Sequence, residues 1–172
     1  MTQCKGLKKQ LDEDGDVSVE IAGREIVVSP KIVCFVSKED RCRGPICAAV
    51  FKSMLRDESV KAISCGLDAD DGGQIDALTA DILAEAGYIK QEKRGTLRSS
   101  KVDYSILRFC VSVIAVDDDT AMRLIICCPD LASKIRCLQG PIEPAASICE
   151  EEYRRVLGDA EERIGKMTGK LE

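Results

Sequence analysis

The sequence predicts an α/β domain, a three-layer sandwich around a mostly parallel four-stranded sheet, with a β-hairpin added at its N-terminus. Continuous apolar runs of strand length are typical of strands buried on both faces of a parallel sheet. These runs alternate with stretches of helical periodicity, which is the order of βαβ units. The 172 residues are 45% hydrophobic and 32% charged, which fits one soluble globular domain. We therefore predict an extension at 1–30 and a single domain at 31–172.

The extension is predicted from alternating polarity. Residues 17–21 alternate apolar and polar side chains, 22–24 contain the Gly23 of a turn, and 25–29 resume a strand. The charged segment 4–16 before them has little apolar content and predicts a weakly ordered leader. The outer edge of the hairpin could pair with a second copy of the chain, so a homodimer is one prediction. The oligomeric state with and without residues 1–30 tests it.

The domain itself is predicted as alternating strands and helices. Strands are expected at 32–36, 60–65, 109–116 and, more weakly, 134–138. Helices are expected at 45–55, with proline in its first turn, at 74–86, ending in Gly87, and from about residue 121 after a cap at 117–120. A last amphipathic helix is expected at 145–167, with its buried side formed by Ile148, Tyr153, Val156, Leu157 and Ile164.

The composition excludes several classes of function. The chain has no histidine, which excludes Ser-His-Asp and Cys-His catalysis and histidine-bound metals. It has no tryptophan, 3% aromatic residues and a net charge of −5, so it is not expected to bind nucleic acid. No membrane-spanning run is present. None of the ten cysteines has Cys-x-x-Cys spacing, and we predict no metal or cofactor. With no apolar leader sequence, a cytoplasmic location is expected.

The loop after the first buried strand is the candidate site. In parallel sheets, ligands bind beyond the carboxyl ends of the strands. This loop leads into a helix whose free N–H groups and dipole attract an anion, and Arg43 adds a charge suited to phosphate. The predicted anion-binding residues are Lys38, Glu39, Asp40, Arg41, Cys42 and Arg43.

The same loop resembles that of the low-molecular-weight protein tyrosine phosphatases and their arsenate reductase relatives. Their pattern is an apolar strand, Cys-x5-Arg-Ser-Pro and a helix beginning Ile-Ala-Glu-Ala-Val-Phe. This chain has Ser37, five further residues, Arg43-Gly44-Pro45 and then Ile46-Cys47-Ala48-Ala49-Val50-Phe51. The resemblance extends from residue 31 to the C-terminus. It includes Ser64-Cys65-Gly66, Ala84-Glu85-Ala86-Gly87, Val113-Ile114-Ala115-Val116-Asp117, and Glu143-Pro144 where the family has its Asp-Pro general acid.

The resemblance implies catalytic positions at Ser37, Arg43 and Glu143. The family's nucleophile is a cysteine whose pKa is lowered by the loop, whereas a serine hydroxyl in the same field stays protonated. Glu39 and Asp40 also replace a glycine and an asparagine, and they bring negative charge to an anion site. We therefore predict a catalytically impaired, phosphatase-like protein that binds phosphate, a similar anion, a phosphorylated ligand or a protein partner.

The same residues allow other interpretations. Arg43 could pair internally with Glu39 or Asp40, which would leave a filled loop that binds nothing. The chain could instead be an active low-molecular-weight phosphatase or arsenate reductase-like enzyme that uses Ser37 or Cys42. The family often has a second cysteine at the place of Cys42, but the position of Cys34 in the strand makes a Cys34–Cys42 disulfide doubtful. The acidic run 117–119 is interpreted as a helix cap rather than a metal site.

Overall fold

The computed structural model describes residues 9–11, 17–21, 24–28, 30–57 and 59–169. Its first strands, β1 (Lys9–Leu11), β2 (Val17–Ile21) and β3 (Arg24–Val28), form an antiparallel sheet in the order β1-β2-β3. β2 and β3 are the predicted hairpin, with Arg24 inside the strand, while residues 22, 23 and 29 lie outside the described ranges. Within the segment 4–16, predicted as a weakly ordered leader, the described residues form the short strand β1, because the free edge of β2 offers backbone groups with which they can pair.

A second sheet forms the centre of the domain. Its strands are β4 (Lys31–Ser37), β5 (Val60–Gly66), β6 (Ser112–Ala115) and β7 (Ile135–Cys137). They are all parallel and lie in the order β5-β4-β6-β7, which confirms the predicted four-stranded sheet. β4 is central and its residues from position 33 onward are buried, as its continuous apolar run predicts.

Helices cover both faces of this sheet. They are α1 (Arg43–Met54), α2 (Ala77–Glu85), α3 (Tyr104–Phe109), α4 (Asp118–Cys127) and α5 (Glu150–Met167), with short 3₁₀ turns at Gln91–Lys93 and Pro129–Leu131. One apolar core lies between the sheet and α1, α2 and α5, and a second lies under α3 and α4. The predicted three-layer sandwich is therefore confirmed. No helix in the described ranges is long and apolar enough to cross a membrane.

The region before β6 differs from its prediction. A single strand at 109–116 was expected, but Phe109 ends helix α3 and the strand begins at Ser112. The reason is a local cap, since the Asp103 side chain accepts a hydrogen bond from the Ser105 amide and starts a helix that the apolar run conceals. Phe109 is consequently 81% exposed rather than buried.

The last helix begins later than predicted. α5 starts at Glu150 rather than at 145, and Ile148, which was assigned to its buried side, is 88% exposed because it lies before the helix. The other residues of the predicted apolar side are buried, namely Tyr153, Val156, Leu157 and Ile164. α2 is also shorter at its start, beginning at Ala77, and it is followed by Gly87 with a φ of 81°.

Candidate functional site

The loop between β4 and α1 curls back on itself. Ser37, the last residue of β4, is 3% exposed, and its Oγ accepts a hydrogen bond from the Asp40 amide at 3.1 Å. Asp40 has a φ of 53°, a left-handed conformation that aspartate and asparagine adopt more readily than most residues. The chain thus turns sharply around the end of the strand before α1 begins at Arg43.

Backbone carbonyls of the loop pair with the segment that follows β5. The Ser37 and Lys38 carbonyls accept hydrogen bonds from the Leu67 and Asp68 amides at 3.0 and 2.7 Å, directly after β5. No acceptor among the described residues takes the opposite set of groups, the backbone amides of Lys38, Glu39, Arg41 and Cys42. Unpaired amides at a strand-to-helix turn and at a helix N-terminus are groups that can bind an anion, and this loop and the start of α1 present both.

Gly66 lets the loop approach β5. A Cβ atom there would lie 2.8 Å from both the Asp40 amide nitrogen and the Glu39 carbonyl carbon, and 2.9 Å from the Lys38 carbonyl oxygen. All three are backbone atoms that cannot move without reshaping the loop. We expect Gly66→Ala to destabilise the fold by about 1–3 kcal/mol, the usual cost of overpacking. Urea unfolding measures this, with exposed Gly95→Ala as the control, since a Cβ at Gly95 has no neighbour within 4 Å.

Arg43 is held by residues that follow strands β6 and β7. Its Nη1 donates hydrogen bonds to Asp117 Oδ2 at 2.5 Å and to the Ile142 carbonyl at 2.9 Å. Asp117 also accepts from the Thr120 amide, so it caps α4 as predicted. Burial opposes the ionisation of Asp117, but Thr120 and the Arg43 guanidinium outweigh it and keep the pKa of this carboxyl below its usual range. Arg43 therefore pairs internally with Asp117, and not with Glu39 or Asp40, the partners that the filled-loop alternative named.

The Asp40 carboxyl group is buried beneath the loop. Asp40 is 1% exposed, and its Oδ2 accepts a hydrogen bond from the Ser100 amide at 2.9 Å. Its Oδ1 makes no hydrogen bond of standard geometry, although the Ser64 hydroxyl lies beside the carboxyl group. Burial raises the pKa of Asp40 to about 6, and Ser64 and Ser100 offset only part of this rise.

A cavity of about 290 Å³ opens above the loop. One wall is a polar cluster in which Asp76 Oδ1 pairs with Arg41 Nε at 2.9 Å, while Tyr153 Oη donates to Asp76 Oδ2 at 2.6 Å. The Arg41 guanidinium is thus paired with Asp76, whereas the Lys38 and Glu39 side chains are exposed. The lining residues are Ser37 through Arg43, Asp76, Pro144, Ala145 and Tyr153.

Comparison with known proteins identifies the family. The model of the low molecular weight phosphotyrosine protein phosphatases matches residues 32–171. The chain belongs to this family. The match covers the central sheet, the loop and the helices around it. No curated protein matches the chain significantly.

Solved structures share the phosphatase fold. The YwlE arginine phosphatase from Geobacillus stearothermophilus is 23% identical, with a TM-score of 0.72 over 83% of this chain and 93% of its own. A low molecular weight protein tyrosine phosphatase from T. tengcongensis is also 23% identical, with a TM-score of 0.72 over 82% of this chain and 99% of its own. A Cys-to-Ser mutant of the YwlE arginine phosphatase, with a phosphorylated active site serine, is 19% identical, with a TM-score of 0.71 over 81% and 95%.

The predicted general acid and the two cysteines considered as reactive groups are poorly placed for catalysis. Glu143 is exposed, and its neighbours Pro144 and Ala145 line the cavity in its place. Burial raises the pKa of the Cys42 thiol to about 11, partly offset by the Thr79 hydroxyl, so the reactive thiolate is scarce at neutral pH. Cys34 is buried and its Sγ lies 3.5 Å from Cys65 Sγ, which agrees with a core position.

Several residues of the site were not identified from the sequence as site residues. Asp76 and Tyr153 form the cavity wall, and Asp117 fixes Arg43 in addition to capping α4. The sequence predicts Tyr153 only as a buried residue of the last helix. Its hydroxyl, which needs a hydrogen-bond partner when buried, is the one signal that could have indicated a polar role. In the ranges that the structure describes, no group of three or more Cys, Asp or Glu side chains is placed to hold a metal ion.

Proposed function

We propose that this member of the phosphatase family binds phosphate, or the phosphoryl group of a ligand, in the loop formed by residues 37–43, and that its turnover is impaired. The observation that carries the proposal is the combination of unpaired loop amides with an arginine held in place by Asp117 and Ile142. Within the described residues, the Arg43 contacts are made by Nη1, which leaves Nε and Nη2 for two-point contact with an anion.

The loss of turnover is proposed from three positions. Ser37 offers a hydroxyl that stays protonated where the family has a thiolate. The buried carboxyl group of Asp40 adds negative charge beside that hydroxyl once it ionises, above about pH 6. The exposed Glu143 does not line the cavity in which a leaving group would need its proton.

Phosphate binding by calorimetric titration tests the proposal. We expect wild-type protein to bind inorganic phosphate and Arg43→Ala to weaken binding by about 10- to 100-fold, since a charged hydrogen-bond donor is lost. Arg98→Ala is the matched control, because Arg98 is exposed and, among the described residues, its side chain bonds only to the carbonyls of Gly95 and Leu97. Equal phosphate affinity in wild type and Arg43→Ala would contradict the proposal.

A second candidate is an enzyme that uses Ser37 as its phosphate acceptor. The observation that favours it is the phosphorylated active site serine in the Cys-to-Ser mutant of the YwlE arginine phosphatase. The raised pKa of Cys42 argues against a thiol-based or arsenate reductase-like route through that residue. Steady-state release of inorganic phosphate from an aryl phosphate distinguishes the two candidates, because only the second predicts repeated turnover.

A further inference from the structure

A small polar space lies between Ser37, Asp40 and Gly44. The position that a Cβ atom would take on Gly44 is 2.9 Å from Ser37 Oγ and 2.7 Å from Asp40 Oδ1. Both oxygens therefore border the same small volume, which is open because Gly44 has no side chain to fill it. A larger residue at this position would separate the hydroxyl from the carboxyl group.

Each of these two oxygens has unused hydrogen-bonding capacity. Ser37 Oγ accepts from the Asp40 amide, so its own proton is still available to donate. Asp40 Oδ1 is buried and makes no hydrogen bond of standard geometry, which is costly for a carboxylate oxygen unless a donor reaches it. Two serines border the shared space, Ser37 through its Oγ and Ser64 through its Cβ atom at 3.4 Å, and of these two only Ser37 lines the cavity.

The surroundings of Asp40 favour a role as a base. The groups that face it are the hydroxyls of Ser37 and Ser64 and the amide of Ser100, and no charged side chain contributes to the shift of its pKa. Burial alone makes this carboxylate a stronger proton acceptor than an exposed aspartate, with a pKa of about 6. The chain contains no histidine that could take this role.

We propose that Asp40 is the proton acceptor for Ser37, and that together they allow the loop to transfer a phosphoryl group from a bound phosphate ester onto Ser37 Oγ. This inference rests on the proposed function, because the donor must first bind in the loop. It assigns a modification site at Ser37 and a chemical role to Asp40.

The step balances without any further reactant. The Ser37 Oγ–P bond forms while the bond from phosphorus to the leaving oxygen breaks, and that oxygen departs with the electron pair. The Ser37 proton passes to Asp40 Oδ1 and later to solvent. The products are phosphoserine and the released alcohol, so an aryl phosphate with an acidic phenol is a suitable donor because its leaving group needs no proton.

The test is one round of transfer from p-nitrophenyl phosphate at saturating concentration. We expect about one nitrophenol released per chain, with a matching phosphoryl mass on the intact protein that Ser37→Ala abolishes. The rate should rise about tenfold from about pH 5 to about pH 7 as Asp40 ionises. Asp40→Asn should slow the step by about 100-fold or more and remove this rise, since general base catalysis typically contributes that much.

Asp71→Asn is the matched control. The Asp71 carboxylate accepts a hydrogen bond from the Lys101 amide, just as Asp40 accepts one from the Ser100 amide, but Asp71 is exposed and does not line the cavity. It should keep the wild-type rate and pH profile. If wild type binds phosphate but gains no phosphoryl group, the inference is wrong while the proposed function stands. An Asp40→Asn protein with the wild-type rate and pH profile overturns it as well. If Asp40→Asn fails to fold, the wild-type protein alone decides: a transfer rate that does not rise around pH 6 overturns the inference.

Discussion

Ser37→Cys is expected to turn over aryl phosphates at a rate at least about a hundredfold above that of wild type, about 2.7 kcal/mol in activation free energy. The unpaired amides of the loop, the N-terminus of α1 and Arg43 all favour a negative charge at position 37. Such surroundings lower the pKa of a cysteine into the range where the thiolate is present at neutral pH, whereas a serine remains protonated. Steady-state hydrolysis of p-nitrophenyl phosphate measures the difference.

The control for this gain is the double variant Ser37→Cys with Arg43→Ala, which should lose most of the new activity because the transferred phosphoryl group has no guanidinium to hold it. Adding Asp40→Asn to Ser37→Cys should raise the rate further, since a neutral amide no longer opposes the thiolate. If Ser37→Cys turned over aryl phosphates no faster than wild type, Glu39 and Asp40 would have closed the loop to phosphate.

Asp40→Asn is expected to stabilise the fold at neutral pH. The folded pKa of Asp40, about 6, lies above the ordinary value of 3.8, so folding disfavours its charged form. Asp40 therefore costs no stability below about pH 4, and its cost grows as pH rises and is complete above the folded pKa. A shift of this size corresponds to up to about 3 kcal/mol. Urea unfolding near pH 4 and near pH 7.5 should show the advantage of the variant growing by about 2–3 kcal/mol.

Asp71→Asn serves again as the comparison, since this exposed carboxylate also accepts a backbone amide. Its stability relative to wild type should not rise with pH. If the advantage of Asp40→Asn over wild type were the same at both pH values, the Asp40 carboxyl would not be a buried group with a raised pKa.

The elements that were predicted correctly are those with a strong local pattern. The apolar run of β4 and the proline near the start of α1 were sufficient to place the first βα unit, and the resemblance at Arg43 placed the loop between them. The errors concern the start of two helices. Asp103 starts a helix inside an apolar run, and Ile148 stays in an irregular segment because α5 begins only at Glu150.

The site could be predicted only in part, because its partners come from distant segments. Loop residues 37–43 are contiguous and were identified together. The pairing of Arg43 with Asp117 spans 74 residues, and the contact between Tyr153 and Asp76 spans 77. Neither follows from spacing, since the first depends on β4 and β6 being neighbours in the sheet and the second on the packing of α5 beside the start of α2. The buried state of Asp40 depends likewise on Ser100, far along the chain.

The central claim is that the loop amides themselves hold the phosphate, and a two-dimensional proton–nitrogen NMR titration with inorganic phosphate tests it most directly. The account predicts that the amide signals of residues 38–43 shift together and saturate in wild type, and that Arg43→Ala reduces these shifts at every phosphate concentration. Signals around Gly95 and Arg98, away from the cavity, should not move. If the loop amides stay in place, or if the shifts cluster elsewhere on the chain, the loop is not a phosphate site.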